Sequence, residues 1–530
     1  MPWGSSPTST GGPRRRRRNR SVGTRVSAAT DPSGGPLAPG DAPPPGRTDL
    51  GRVAARGAGV TLAGQGARIV LQLASVTVLA RLLSPEDYGL LAVGLVVVGV
   101  GEVFRDLGLS TAAIRAPELT TAQRDGLFWL NVAAGVLLSA LALVAAEPVA
   151  AAFGQPELVD VVRCLSVVFL LNGLAAQYRA GLLRRLRFGA VAGVDLAAQV
   201  VSFAVAVGAA VAGAGYWALV AQQIVQGTVV LVLVAASGRW VPGRPRRGVG
   251  LGPLVRFGSG LTGTHLVHYL GNNLDNLVLG LTAGPAALGV YNRGFQLLMT
   301  PLNQLRSPAT TVAVPVLSRL QDDLGRAGDY LRRSQLALGF TLVAAMGLAA
   351  GAAGPLVEVV LGDRWAQVAP VLALLAVAGS AQTLSFVGYW VYLSRGLAGA
   401  LFRYTLLTMA LKAVCIAVGS RHGVVGVAAG YATAAVLEWP LSLWWLSRTT
   451  VIPVRALLGG ALRIAGCAVT AGAVCALAVQ LASGWPAVGR LAAGLAAGLA
   501  VYGLAALVPP IRRDLAGVAA WGRQMLARRG

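Results

Sequence analysis

Residues 265–280, HLVHYLGNNLDNLVLG, hold two of the chain's three histidines together with Asn272, Asn273, Asp275 and Asn276. His265, His268, Asn272 and Asp275 are spaced three, four and three apart, which puts them on one face of a helix. Such a face can hold a proton, a cation or a polar ligand. Neither histidine has the cysteine, histidine or carboxylate company of a metal site. Both therefore read as hydrogen-bonding wall residues, and Asp275 as the reactive member. The pattern has an echo 200 residues earlier, where Gln65, Arg68, Gln72 and Ser75 are polar as well.

Other polar groups sit inside apolar stretches: Arg105 and Asp106, Asn292, Arg293, Gln296, Asn303, Arg306, Lys412 and Glu438. An ionised side chain at mid-bilayer costs about 2.5–3.5 kcal/mol, so such groups must pair or line a wet cavity. Interhelical hydrogen bonding accounts for Gln222, Gln223, Gln226 and Gln382, but not for one helix face used twice. The cations Arg68, Arg105, Arg293, Arg306 and Lys412 outnumber the acids Asp106, Asp275 and Glu438. A cavity with that bias suits an anion such as a phosphate ester or diphosphate, whose oxygens take bidentate hydrogen bonds from arginine.

The elements that position these groups are membrane helices. The chain has 530 residues, 55% hydrophobic and only 12% charged, and its mean hydropathy is +0.64. Apolar runs of about 20 residues recur almost throughout, giving an all-α polytopic membrane protein of about fourteen transmembrane helices. Two of the spans are expected near 89–114 and 334–354. The net charge of +24 is not a nucleic-acid footprint, because it lies mostly in tails and alternate loops. Arg184, Arg185, Arg187, Arg239, Arg244, Arg246 and Arg247 mark two arginine-rich loops. By the positive-inside rule these are cytoplasmic, as are both termini. Cys164, Cys415, Cys467 and Cys475 fall in apolar segments without CxxC spacing, so no metal or disulfide framework is expected.

The chain also repeats itself. LARLLSPEDYGLL at 79–91 lies over LGLTAGPAALGVY at 279–291, pairing Pro85 with Pro285 and Gly89 with Gly289. PVAAAFG at 148–154 resembles PLVEVVLG at 355–362 with one residue inserted. Six helices per repeat is an even number, so the two halves run parallel, related by a pseudo-twofold along the membrane normal. The expected layout is a disordered basic tail over 1–52 and six-helix lobes over 53–248 and 249–450. Two extra helices over 451–510 and a basic tail over 511–530 complete it.

VLARLLSPEDYGLLAVGLVVVGVGEVFRDLGLSTAAIR at 78–115 and FWLN at 128–131 resemble bacterial polysaccharide exporters of the Wzx flippase type. QYRAGLLRRLRFG at 177–189 and the stretch from Asn272 to Asn303 continue the likeness, as do PVLSRLQDD at 315–323 and VLGDRWAQVAPVL at 360–372. It covers roughly residues 53–450 and is closest to the colanic-acid and teichuronic-acid exporter branch of the multidrug/oligosaccharidyl-lipid/polysaccharide superfamily. The resemblance implies alternating access and an oligosaccharide on undecaprenyl diphosphate, moved to the outer leaflet of a bacterial plasma membrane. It further implies a lipid-linked substrate, surrounding membrane lipids, and the polymerase and glycosyltransferases of the same pathway as partners. It points to Arg68, Arg105, Arg293 and Arg306 as the arginines for the diphosphate.

No loop is large enough for a catalytic site and no Walker A motif is present, so an enzyme is not expected. Two rivals stay open. One is a drug or metabolite antiporter of the same superfamily, driven by protons or sodium through Asp275; the other is a lipid II flippase. The cationic excess weighs against a cationic drug, and no cofactor beyond such an ion gradient is implied.

Overall fold

A computed structural model describes residues 47–106, 108–115, 119–245 and 248–527. Side chains at 47–63, Gln65, Asp106, His265 and His268 are among those outside the description, as are residues 1–46 of the disordered tail expected over 1–52, whose residues 47–52 are instead the start of a helix. The architecture below concerns the compact unit Ala54–Gly530.

Among the described residues every regular element is a helix. In order, the helices are α1 (Arg47–Leu82), α2 (Pro85–Asp106), α3 (Leu109–Arg115), α4 (Thr121–Phe153), α5 (Leu158–Leu165), α6 (Val167–Arg184), α7 (Phe188–Val211) and α8 (Trp217–Gly238). There follow α9 (Gly252–Thr282), α10 (Gly284–Arg319), α11 (Leu324–Leu338), α12 (Ala344–Gly351), α13 (Ala353–Val360), α14 (Val368–Ser394), α15 (Ala398–Gly419) and α16 (Gly423–Thr449). The last are α17 (Val454–Leu481), α18 (Ala487–Ala505) and α19 (Pro509–Ala527). Among the described residues, ten stretches are long and apolar enough to span a membrane, and one of them, Ala398–Thr449, contains both α15 and α16. α10 is not among them. It carries Asn292, Arg293, Gln296, Asn303, Gln304 and Arg306, along with Pro301, Pro308 and Pro315 inside the helix.

Local chemistry sets several boundaries. α4 begins in a capping box: Gln123 N donates to Thr120 Oγ1 (3.2 Å) and Thr120 N donates to Gln123 Oε1 (3.1 Å). It ends at Gly154, whose φ of +64° is left-handed, and Gly362 after α13 also has positive φ. These two glycines are the ends of the two matched segments read from the sequence. The span expected near 89–114 is α2 plus the separate short helix α3, because the chain turns at Gly108, where φ is +64°. The span expected near 334–354 divides into α11, a π-helical turn at Gly339–Val343, and α12. At Gly339 the Ile464 side chain of α17 fills the space a Cβ would take. The basic tail expected over 511–530 is helical as far as Ala527, as α19.

The repeat meets itself at one crossing. A Cβ on Gly89 of α2 would collide with the Pro285 carbonyl of α10, and a Cβ on Gly289 would collide with the Pro85 carbonyl. These are the two residue pairs matched by the 200-residue offset, and each member touches the other's partner, as a local twofold requires. Trp365 is fully buried beside this crossing and donates from Nε1 to the Ala80 carbonyl (2.7 Å). At the arginine-rich end, Leu251, Leu254 and Val255 at the start of α9 pack on Leu109, Ala113, Leu127 and Ala180 of α3, α4 and α6. α17 is fitted against α12 through glycines, with Gly472 facing the Gly347 carbonyl and Gly351 facing the Gly472 carbonyl. Small residues allow such close approach where lipid supplies no hydrophobic drive.

Candidate functional site

Polar contacts link α1 to α10, α9 to α2 and α8 to α1. Gln304 Nε2 on α10 donates to Gln72 Oε1 on α1 (3.0 Å). Tyr269 Oη on α9 donates to the Val96 carbonyl on α2 (3.2 Å). Gln222 Nε2 on α8 donates to Ser75 Oγ (3.4 Å). The α1 stripe therefore reaches α10 through Gln72 and α8 through Ser75.

The α9 stripe splits. Asn272 is exposed, whereas Asp275 is 1% exposed and turned into the protein. Its Oδ2 accepts from the Tyr291 hydroxyl (2.6 Å) and its Oδ1 from the Asn276 backbone N–H (3.0 Å). Asn292 Nδ2 donates to Asn276 Oδ1 (3.3 Å), tying α10 to α9 one residue further along each helix. Lys412 Nζ donates to the Gly271 carbonyl (2.9 Å) and lies 4.5 Å from the Tyr431 ring centroid. That contact brings α15 to the same segment of α9.

The arginines differ in what holds them. Arg105 is paired with Glu102 (2.7 Å), and its Nη1 reaches the Asn172 carbonyl (3.5 Å). Asn172 Nδ2 donates to the other Glu102 oxygen (3.0 Å). Arg293 is 5% exposed, its guanidinium carbon 3.6 Å from the Tyr88 ring centroid, and its Nε is without a hydrogen-bond partner among the described residues. Arg306 is 4% exposed and donates from Nη2 to the Gly379 carbonyl (2.8 Å) and to Thr383 Oγ1 (2.7 Å) on α14. Arg68 is 43% exposed and stands 3.8 Å from Asp195 on α7. Gln296 is partly buried on α10. Gln65, Asp106, His265 and His268 have side chains outside the described residues, so their part in the site is not placed.

Three charged groups escaped the sequence reading: Glu102, Arg179 and Asp195. Arg179 and Asp195 were hidden near the ends of apolar spans, five residues before the end of α6 and seven after the start of α7. The tight α6–α7 turn sets them face to face, a pairing that hairpin geometry alone predicts once both charges are noticed. With these included, the charged groups singled out in the helices are Arg68, Arg105, Arg179, Arg293, Arg306 and Lys412 against Glu102, Asp195, Asp275 and Glu438. Cations still exceed acids by two, and Arg293 and Arg306 have no carboxylate within salt-bridge distance among the described residues.

A family model described as "Polysaccharide biosynthesis protein" matches residues 78–370, more than half of the chain. The lipopolysaccharide biosynthesis protein WzxC of Escherichia coli (strain K12) is 26% identical over 383 residues, 71% of this chain and 77% of its own length. The teichuronic acid biosynthesis protein TuaB of Bacillus subtilis (strain 168) is 27% identical over 354 residues, 65% and 72% of the two chains. Among solved structures, the lipid II flippase MurJ in an inward closed conformation aligns with a TM-score of 0.67 at 12% identity, covering 86% of this chain and 99% of its own. An inward-facing MATE family multidrug transporter of the MOP superfamily aligns with a TM-score of 0.55 at 16% identity, covering 76% and 99%. The structural likenesses establish the fold: an all-α polytopic bundle shared with both transporters.

Proposed function

The chain belongs to the polysaccharide biosynthesis protein family, and from that premise we propose that it is a flippase for lipid-linked oligosaccharide. In this reading it turns an undecaprenyl-diphosphate-linked repeat unit from the inner to the outer leaflet of a bacterial plasma membrane. The cycle alternates access between two lobes, residues 53–248 and 249–450, with both termini in the cytoplasm. The observation that carries it is the surplus of cations inside the bundle. Arg293 and Arg306 are buried with no carboxylate in salt-bridge distance among the described residues, and a diphosphate supplies the missing negative charge. Arg68, half-exposed, is its first contact. The relatives named for lipopolysaccharide and teichuronic acid biosynthesis support a surface polysaccharide as the product. The membrane polymerase and glycosyltransferases of that pathway are then its working partners. The reading includes no catalysis by this chain, and Asp275 is its site for any proton or sodium coupling.

Deletion of the protein should cause a lipid-linked oligosaccharide to accumulate on the inner leaflet, identified by mass spectrometry, with surface polysaccharide lost. Unchanged surface polysaccharide in the deletion strain would sink the reading. In proteoliposomes, flipping of that lipid should respond to an imposed ion gradient, and Asp275→Asn should remove the response.

A further inference from the structure

A cavity of about 210 Å³ opens between α1, α6 and α7, away from the α2–α10 crossing. Its polar side is Arg68, Arg179 and Asp195, and Leu183, Phe188, Val191 and Leu196 form its apolar side. Arg179 holds Asp195 through both carboxylate oxygens, at 2.6 and 2.8 Å. Arg68 approaches the same carboxylate to only 3.8 Å. Two guanidiniums thus share one acid, leaving one positive charge uncompensated in the cluster among the described residues.

We propose that this cavity binds the phosphoryl head of a membrane lipid. Arg179 and Arg68 are its cationic pole, and Asp195 stands in the phosphate's place while the lipid is absent. The fork that grips two carboxylate oxygens grips two phosphate oxygens equally well. A purely structural Arg179–Asp195 bridge across the α6–α7 hairpin explains the bidentate contact. It does not explain a second arginine on α1 or an adjoining cavity with an apolar wall. Depth agrees. Arg179 lies about 8 Å from the arginine-rich end of α6 and Asp195 about 10 Å from that of α7, at 1.5 Å per residue. This is just beneath a turn carrying Arg185 and Arg187, where a lipid's charged head gives way to its hydrocarbon. The apolar wall then receives the first carbons of the chain. The site's chemistry is independent of the flippase reading, but its place as the entry point for that substrate rests on it.

The test uses the full-length protein in neutral detergent, with farnesyl diphosphate as a short polyprenyl probe. Wild type should bind it at least about tenfold more tightly than inorganic diphosphate, and Arg179→Gln should weaken it by about tenfold or more, the worth of one charge-assisted hydrogen bond. Asp195→Asn should tighten binding, because it removes the internal competitor. Arg68→Gln guards against misfolding, since Arg68 is half-exposed and loosely tied, and it too should weaken binding. Phosphatidylglycerol in place of farnesyl diphosphate separates the sources: equal affinity assigns the site to anionic phospholipid, lower affinity to a polyprenyl diphosphate, and either supports a lipid phosphoryl site. Unchanged affinity in both arginine variants, or inorganic diphosphate binding as well as the farnesyl ester, would overturn the proposal. That failure alongside polysaccharide loss in the deletion strain leaves the flippase reading intact. Normal polysaccharide with arginine-dependent binding does the reverse.

Discussion

At the residue scale, Arg306 shows how a buried charge can be read. Its two acceptors do not depend on it, because Thr383 Oγ1 also donates to the Gly379 carbonyl at 2.6 Å. Removing the guanidinium therefore orphans neither group, and it relieves the cost of keeping a cation out of water. Arg306→Met, similar in length and apolar, should fold within about 1 kcal/mol of wild type by thermal unfolding in detergent. Export of polysaccharide should nevertheless fall. Full export from a normally folded Arg306→Met protein would make the arginine structural. The helices that carry several candidate site residues could be read from the sequence at this scale. Asp275, Gln72, Arg306 and Lys412 all lie in the helices assigned to them. What spacing could not show was direction. The periodicity that placed Asn272 and Asp275 on one face did not reveal that Tyr291 draws Asp275 inward while Asn272 stays exposed. Arg179 and Asp195 escaped because each, taken singly, looks like a charge at the frayed end of a span.

Among elements, the α2–α10 crossing carries the sharpest constraint. Gly89 and Gly289 lie against carbonyl groups of the opposing helix, with no flexible side chain to give way. Gly89→Leu should therefore force the helices apart at this end. Val93, one turn further along α2, is 1% exposed. A Val93→Cys probe should be inert to membrane-impermeant maleimide in the parent and labelled from outside the cell in the Gly89→Leu background. Equal labelling in both would show that the crossing tolerates a side chain. The paired prolines and glycines were visible in the sequence as an offset of 200 residues, though not as a mutual contact. Helix starts such as the Thr120 capping box follow from local chemistry. The break at Gly108, the π turn at Gly339 and the docking of α19 do not. α19 is held by Asp514, which is buried between Arg332 of α11 and Arg463 of α17 (2.9 and 2.6 Å), and that pairing spans 182 residues of chain.

For the whole molecule, few polar bonds among the described residues link the two halves of the repeat, and Gln72–Gln304 is one of them. In the proposed cycle α1 and α10 part there. A Gln72→Cys, Gln304→Cys protein bridged by a short bis-maleimide should stop flipping in proteoliposomes, while the unbridged protein retains it. Continued transport after bridging would mean that the seam does not open at this level. The prolines of α10 give this movement a mechanical basis. Pro301, Pro308 and Pro315 recur every seven residues, so the missing N–H groups fall along nearly one line of the helix. A helix with rungs absent on one side bends more readily toward one direction than any other. α10 is gripped at one end by the glycine crossing and at Arg306 by α14. It is therefore a rod with anisotropic stiffness, clamped at two points, whose easiest bend lies in one direction.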